Sequence, residues 1–221
     1  MKFIIITKKK WNLDNYQKLN KNILLLNKIN LQKIKKINPK IIFFIHWSKF
    51  ISKSLYENYL CIQFHSSNLP LGRGGSPIQN QILNNIKKTK ISAFKVLKEL
   101  DSGPICLQNT LSLKGTALDI LKRMELQSLK MIKRIIKTKK LKFKKQNGIP
   151  SFFKRRKPSE SKIDIHKVKS IAKLYDFLRM LDAPEYPNAY IKFSKFKFSF
   201  NDIKMMKNKI NARVEIIKNE K

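Results

Sequence analysis

Short apolar runs alternate with polar, lysine-rich segments through the first half of the chain. Residues 2–7 (KFIIIT), 22–27 (NILLLN) and 41–45 (IIFFI, entered from Asn38-Pro39) are continuously apolar and rich in β-branched side chains, the pattern of strands buried on both faces. Residues 11–19 and 31–37 carry Leu and Ile at helical spacing between them. A short helix is predicted over 52–58 and a fourth strand over 60–65. A helix over 77–84 has proline in its first turn. Residues 90–100 and 104–113 read as strands separated by the turn sequence Asp-Ser-Gly-Pro. A long amphipathic helix follows over 116–139, with Thr116 as N-cap and Asp119 in the capping-box position.

The texture then changes. Residues 140–158 are basic and aromatic without periodicity and read as a linker strand and loop. A helix over 168–181 places Leu174, Phe177, Leu178 and Leu181 on one stripe. Residues 190–200 alternate aromatic and lysine at period two, a half-buried strand or hairpin, and 212–217 alternate similarly. The expected architecture is α/β: a Rossmann-like, mostly parallel sheet with helices on both faces and a shortened N-terminal half, plus a small C-terminal α+β appendix. The expected division is a catalytic core over 1–142 and a linker with the small subdomain over 143–221.

The chain of 221 residues carries 49 Lys and Arg against 14 Asp and Glu, a net charge of +35. Anions are attracted to such a surface. The lysines are scattered rather than clustered, and Lys, Ile and Asn are together what an AT-rich coding sequence over-supplies. The charge therefore reads as compositional drift with affinity for anionic small molecules, and no specific nucleic acid is expected. Cys61 and Cys106 are not closely spaced and read as reduced residues of a cytoplasmic protein. The opening residues lack the order of charge, apolar stretch and cleavage site that a signal peptide needs, and no apolar run reaches bilayer length, so no membrane partner is expected.

Residues 61–82 (CIQFHSSNLPLGRGGSPIQNQI) contain no lysine. There is no G-x-G-x-x-G after the first strand and no P-loop, which excludes ordinary dinucleotide and NTP binding. In open parallel sheets the ligand lies beyond the carboxyl ends of the strands, which points to the loops at 46–52, 66–76 and 101–103. Gln63 and His65, two apart on one strand, face the same crevice. Gly72, Gly74 and Gly75 let backbone approach a ligand, and Asp101 precedes a turn at the end of the next strand. An amide can hold a developing oxyanion, a histidine can take a proton from an attacking amine, and an aspartate can orient the histidine. His46, His65 and His166 share no ligand spacing, so no metal is expected.

These residues carry a resemblance. "IQFHSSNLPLGRGGSPIQNQI" followed by "ELDSGPI" resembles the formyltransferase family that uses 10-formyltetrahydrofolate. Within the family the likeness is to sugar N-formyltransferases of the pseudaminic acid type, through "FFIHWSKFIS", "GRGGSPIQN", "KRRKPSES" and "LYDFLRMLDAPEYPNAYIKF", and it runs from about Ile41 to about Val214. The resemblance implies that His65 is the catalytic histidine and Asp101 the catalytic aspartate. The family's asparagine falls on Gln63, one methylene longer, which puts its oxyanion role in question and leaves Asn68 or a loop N–H as substitutes. It implies that the pterin lies against Ile45, His46, Trp47 and Ser48 and near Glu99 and Leu100. Trp47 is read equally as a core residue. It implies an acceptor over Ser66, Asn68, Arg73, Gly74 and Gly75, with Arg155 and Arg156 as weaker candidates. The activity so implied is formyl transfer to the amine of a UDP- or dTDP-linked amino sugar for a surface glycan, by a homodimer. Methionyl-tRNA formylation and a non-catalytic folate- or polyanion-binding relative are the alternatives. Relative to the family, the chain is short before the fourth strand: Thr7 runs directly into Lys8-Lys9-Lys10, where a glycine-bearing loop would wall the site.

Overall fold

A computed structural model describes residues 2–8, 16, 19, 21–184 and 186–218. The chain forms two compact units, one of residues 1–75, 89–111 and 124–152, the other of residues 76–88, 112–123 and 153–221.

The first unit is built on a sheet. Strands β1 (Phe3–Ile6), β2 (Ile23–Leu26), β3 (Ile41–Phe44) and β4 (Cys61–His65) follow the apolar runs. They are parallel and lie in the order β2-β1-β3-β4. Every residue of β1 and β3 is buried, whereas β2, at the sheet's edge, is half-buried throughout. Period two sends Ile4, Ile6, Ile42 and Phe44 into one core cluster with Ile34, Trp47, Leu55 and Val96. The alternate residue Phe43 meets Phe3 and Phe64, with ring centroids 6.5 and 6.3 Å apart. Both faces are thus apolar, which is why these strands read as unbroken hydrophobic runs.

Helix α1 (Leu31–Ile37) starts where the Asn30 side chain accepts from the Lys33 N–H at 2.9 Å. It ends at Asn38 in the left-handed region, before Pro39. Helix α2 (Lys53–Asn58) leads into β4. The stretch Arg73–Gly74 is a minimal strand, β5. Two further strands, β6 (Lys88–Lys95) and β7 (Ile105–Ser112), complete the sheet in the order β4-β6-β7. Here β6 runs antiparallel to β4, opposing Gln63 to Phe94 and His65 to Ser92, so the sheet is parallel only through β4. The strand expected over 90–100 stops at Lys95 because the chain turns toward Gly103. A Cβ at Gly103 would lie 1.6 Å from the Lys95 carbonyl oxygen, so only glycine lets the backbone pass.

The second unit holds helix α3 (Pro77–Leu83) and the first residues of α4 (Ala117–Lys137), a helix that contributes to both units. The capping box at the start of α4 forms as expected: Thr116 Oγ1 accepts from the Asp119 N–H at 3.3 Å, and Asp119 Oδ2 accepts from the Thr116 N–H at 2.9 Å. Residues Phe152–Phe153 form β8, and α5 (Ile171–Arg179) begins three residues later than expected, at an N-cap where Ser170 accepts from the Lys173 N–H. The sheet β9 (Ala189–Phe193), β10 (Phe196–Met205) and β11 (Ile210–Lys218) is antiparallel in the order β11-β10-β9. The alternation over 190–200 is therefore a hairpin, turning at Ser194 with φ 50°. A register shift in β10 follows Asn201, where the Asp202 and Ile203 N–H groups both donate to the Asp182 carboxylate. The helix expected over 11–19 lies outside the described residues, Tyr16 and Leu19 apart. Among the described residues no helix is long and apolar enough to cross a membrane.

Candidate active site

Strand β4 delivers Gln63 and His65 to its carboxyl end, and the residues around His65 and Asp101 lie within the first unit. His65 is 6% exposed and Asp101 5%, a buried imidazole beside a buried carboxyl. Nε2 of His65 donates to the Gly72 carbonyl at 2.8 Å. A carbonyl only accepts, so this bond places the hydrogen on Nε2. Nδ1 faces Asp101 Oδ2 at 3.6 Å, within ion-pair reach and too long for a hydrogen bond. Asp101 Oδ2 accepts from the Gly74 N–H at 2.8 Å, which ties the glycine loop to the carboxylate. Asp101 itself sits in the left-handed region at φ 49°, a conformation that aspartate tolerates better than most residues.

Gln63 is half-buried, and its carboxamide makes no hydrogen bond to any described residue. It shares a face with His65 and remains uncommitted. Below the loop, Ser92 Oγ donates to the Ser67 carbonyl at 2.7 Å and accepts from Gln108 Nε2 at 2.8 Å, anchoring the segment after His65. Ser66 and Gly75 are buried, Asn68 is exposed, and the Leu69–Pro70 bond between them is cis.

The remaining residues singled out from the sequence fall in three places. Ile45 and Trp47 are buried in the core, the indole 5.9 Å from the Phe44 ring and beneath Lys8 Nζ at the same distance. His46, at φ 49°, is half-buried and Ser48 is exposed. Glu99 and Leu100 are exposed on the turn before Asp101, with Leu100 at 63%. Arg73 is engaged within the unit: Nη2 donates to Gln146 Oε1 at 2.7 Å and Nε to the same atom at 3.2 Å, with Cζ 6.0 Å from the Phe152 ring centroid. In the second unit, Arg155 is exposed, while Arg156 packs 5.8 Å from the Phe177 ring centroid and donates its N–H to Ser76 Oγ.

Gln146 escaped the sequence reading. It lies in an aperiodic lysine-rich segment, and an uncharged side chain in KKQNG is the only local signal. Its role as a tether appears only when Ile105 and Lys144 exchange backbone hydrogen bonds and bring residue 146 over the 101–103 turn. Among the described residues, no group of three His, Cys, Asp or Glu is placed to hold a metal. Both cysteines are free, and burial pushes the Cys61 thiol up to about 12 and the Cys106 thiol up to about 11. Both shifts disfavour the thiolate.

Residues 7–136, more than half of the chain, match the family model described as formyl transferase. The chain belongs to the formyl transferase family. Residues 158–217 match a second model, described as the methionyl-tRNA formyltransferase C-terminal domain. A solved methionyl-tRNA formyltransferase from Clostridium thermocellum superposes with a TM-score of 0.93 at 41% identity, covering 99% of this chain and 100% of that one. A curated methionyl-tRNA formyltransferase from a Sulfurihydrogenibium species is 27% identical over 197 residues, 85% of this chain and 62% of the relative. The chain thus spans less than two thirds of that relative's length. A sugar N-formyltransferase from a Shewanella species shares the fold at a TM-score of 0.71 and 18% identity, over 87% of this chain and 93% of that one.

These findings overturn two expectations. The acceptor is not to be read as a nucleotide-linked amino sugar: the 41%-identical structure and the curated relative are both named for methionyl-tRNA, and the C-terminal match points the same way. The expectation that no specific nucleic acid is involved falls with it. Two signals misled the sequence reading. The motifs around His65 and Asp101 belong to the family as a whole and do not encode the acceptor. A charge spread over the whole chain looks like drift whether or not RNA is the partner.

Proposed function

We propose that the protein transfers the formyl group of 10-formyltetrahydrofolate to the α-amine of methionyl-tRNA. The observation that carries this reading is the 41% identity to the Clostridium thermocellum methionyl-tRNA formyltransferase along the whole of both chains. The net charge of +35 suits an RNA acceptor. On the division expected from the sequence, residues 1–142 hold the chemistry and residues 143–221 contribute to holding the RNA.

In this reading the amine attacks the formyl carbon, the tetrahedral intermediate collapses by breaking its bond to N10 of the folate, and tetrahydrofolate leaves with the proton that the amine gave up; three residues around the β4 end divide the work. The Gln63 carboxamide, free of other partners, donates to the formyl oxygen as negative charge develops there. His65 and Asp101 form the acid–base pair that manages the amine's proton, and the Gly74 N–H holds the Asp101 carboxylate in place. Burial of both groups strengthens each interaction by excluding water. The donor and the aminoacylated RNA end enter over the loops after β3 and β4.

The test is direct. Purified protein, 10-formyltetrahydrofolate and charged initiator tRNA should yield N-formylmethionine, seen by mass after release from the RNA. A protein that binds the folate and leaves methionyl-tRNA unformylated would refute the proposal.

A further inference from the structure

We infer that Gln146 is a positioning residue that sets the catalytic carboxylate of Asp101; the inference rests on the role proposed above for His65 and Asp101. One carboxamide meets both halves of the site. Its Nε2 donates to the Asp101 carbonyl and to the Gly103 carbonyl, each at 2.8 Å. Its Oε1 accepts from Arg73 Nη2 at 2.7 Å and from Nε at 3.2 Å. Both hydrogens and the oxygen of the amide are therefore used, as the hydrogen-bond capacity of glutamine allows.

The two segments so joined touch the reacting groups. The Arg73–Gly74 strand carries the N–H that grips Asp101 Oδ2, and Arg73's own N–H is held by the Ser151 carbonyl at 2.9 Å. The 101–103 turn holds Asp101 in the left-handed region and Gly103 against the Lys95 carbonyl. A backbone so constrained needs its carbonyls satisfied, and Gln146 satisfies the two that point out of the turn. Without it the turn keeps the Gly74 N–H bond to the Asp101 carboxylate but loses the donor to both of its carbonyls, so the 3.6 Å separation of Asp101 from His65 Nδ1 is held less firmly. Gln146 touches neither reacting partner, so its loss should act on geometry and leave binding alone.

Full-length Gln146→Leu and Gln146→Glu separate the possibilities. Glutamate keeps the acceptor for Arg73 but removes both donors to the turn, so a role through Asp101 predicts that the two variants fail alike. Expected is a kcat lower by about 10²-fold, the loss a misplacement of roughly 1 Å produces, with KM unchanged for both substrates and wild-type folate binding as the sign of an intact fold. The His65 ring ¹⁵N shifts should move in both variants. Where Gln146→Leu does not fold, Gln146→Glu carries the comparison. An unchanged kcat in a folded variant, beside an inactive Asp101→Asn, overturns the inference alone. An Asp101→Asn enzyme at full rate would sink the catalytic reading and this inference with it. A higher KM at unchanged kcat would also overturn it, since that is the mark of lost binding.

Discussion

Gln63 is the residue at which sequence and structure pull hardest against each other. The resemblance puts an asparagine where this chain has Gln63, one methylene longer, and a donor that overshoots should be a poor one. Yet its amide is left without a partner on the same strand face as His65, which is what an oxyanion donor waiting for its charge requires. Gln63→Leu is expected to lower kcat by about 10²-fold. Gln63→Asn should raise it, because the shorter donor fits the family's geometry; a slower Asn variant in a single-turnover assay would mean the site has adapted to glutamine. His65→Ala and Asp101→Asn should each cost about 10²–10⁴-fold in formylation rate. Wild-type rates in either would remove that residue from the chemistry.

Among the elements, the 95–104 turn and the α5 terminus each carry a close-packed local constraint. Gly103→Ala puts a methyl into the Lys95 carbonyl and should destabilise by about 3 kcal/mol or more, read as a lowered urea midpoint. Arg179, 4% exposed at the end of α5, donates to Asp176 Oδ1 at 2.7 Å and to the carbonyls of Leu113 and Gly115 at 2.7 and 2.6 Å. Replacing it by methionine leaves a largely buried carboxylate and two carbonyls unpaired, a loss of about 3–5 kcal/mol. Lys87 Nζ, 3.8 Å from the other Asp176 oxygen, is too exposed to compensate. Thermal melting of Arg179→Met near the wild-type temperature would show the pair to be dispensable. The spacing of Leu174, Phe177, Leu178 and Leu181 marks the helix's apolar stripe in the sequence. Nothing local marks Arg179, because the carbonyls that its guanidinium binds come from a turn more than sixty residues earlier.

At the scale of the whole molecule the charge is the lever. On the proposed reading, methionyl-tRNA affinity should fall at least about 10-fold between roughly 50 and 200 mM salt, as released counterions are forced back onto the phosphates. Formylation of saturating tRNA should change far less. Affinity flat across that range would mean that the +35 charge takes no part in acceptor binding.

Local pattern was enough for most elements. β1 and β3 are legible because two buried faces demand unbroken Ile and Phe, and the Thr116–Asp119 cap is legible because its partners are three residues apart. His65, Gln63 and Asp101 are legible because a strand end and a turn place them by rules that need no distant contact. What tertiary structure alone decided is whatever depends on residues far apart in the chain. The antiparallel pairing of β6 with β4, the engagement of Arg73 by Gln146 and the burial of Trp47 in a cluster with Ile4 and Val96 are of this kind. A hydrogen-bonding group in a sequence advertises only that it needs a partner; which partner it finds is settled by the fold that brings residue 146 beside residues 73, 101 and 103.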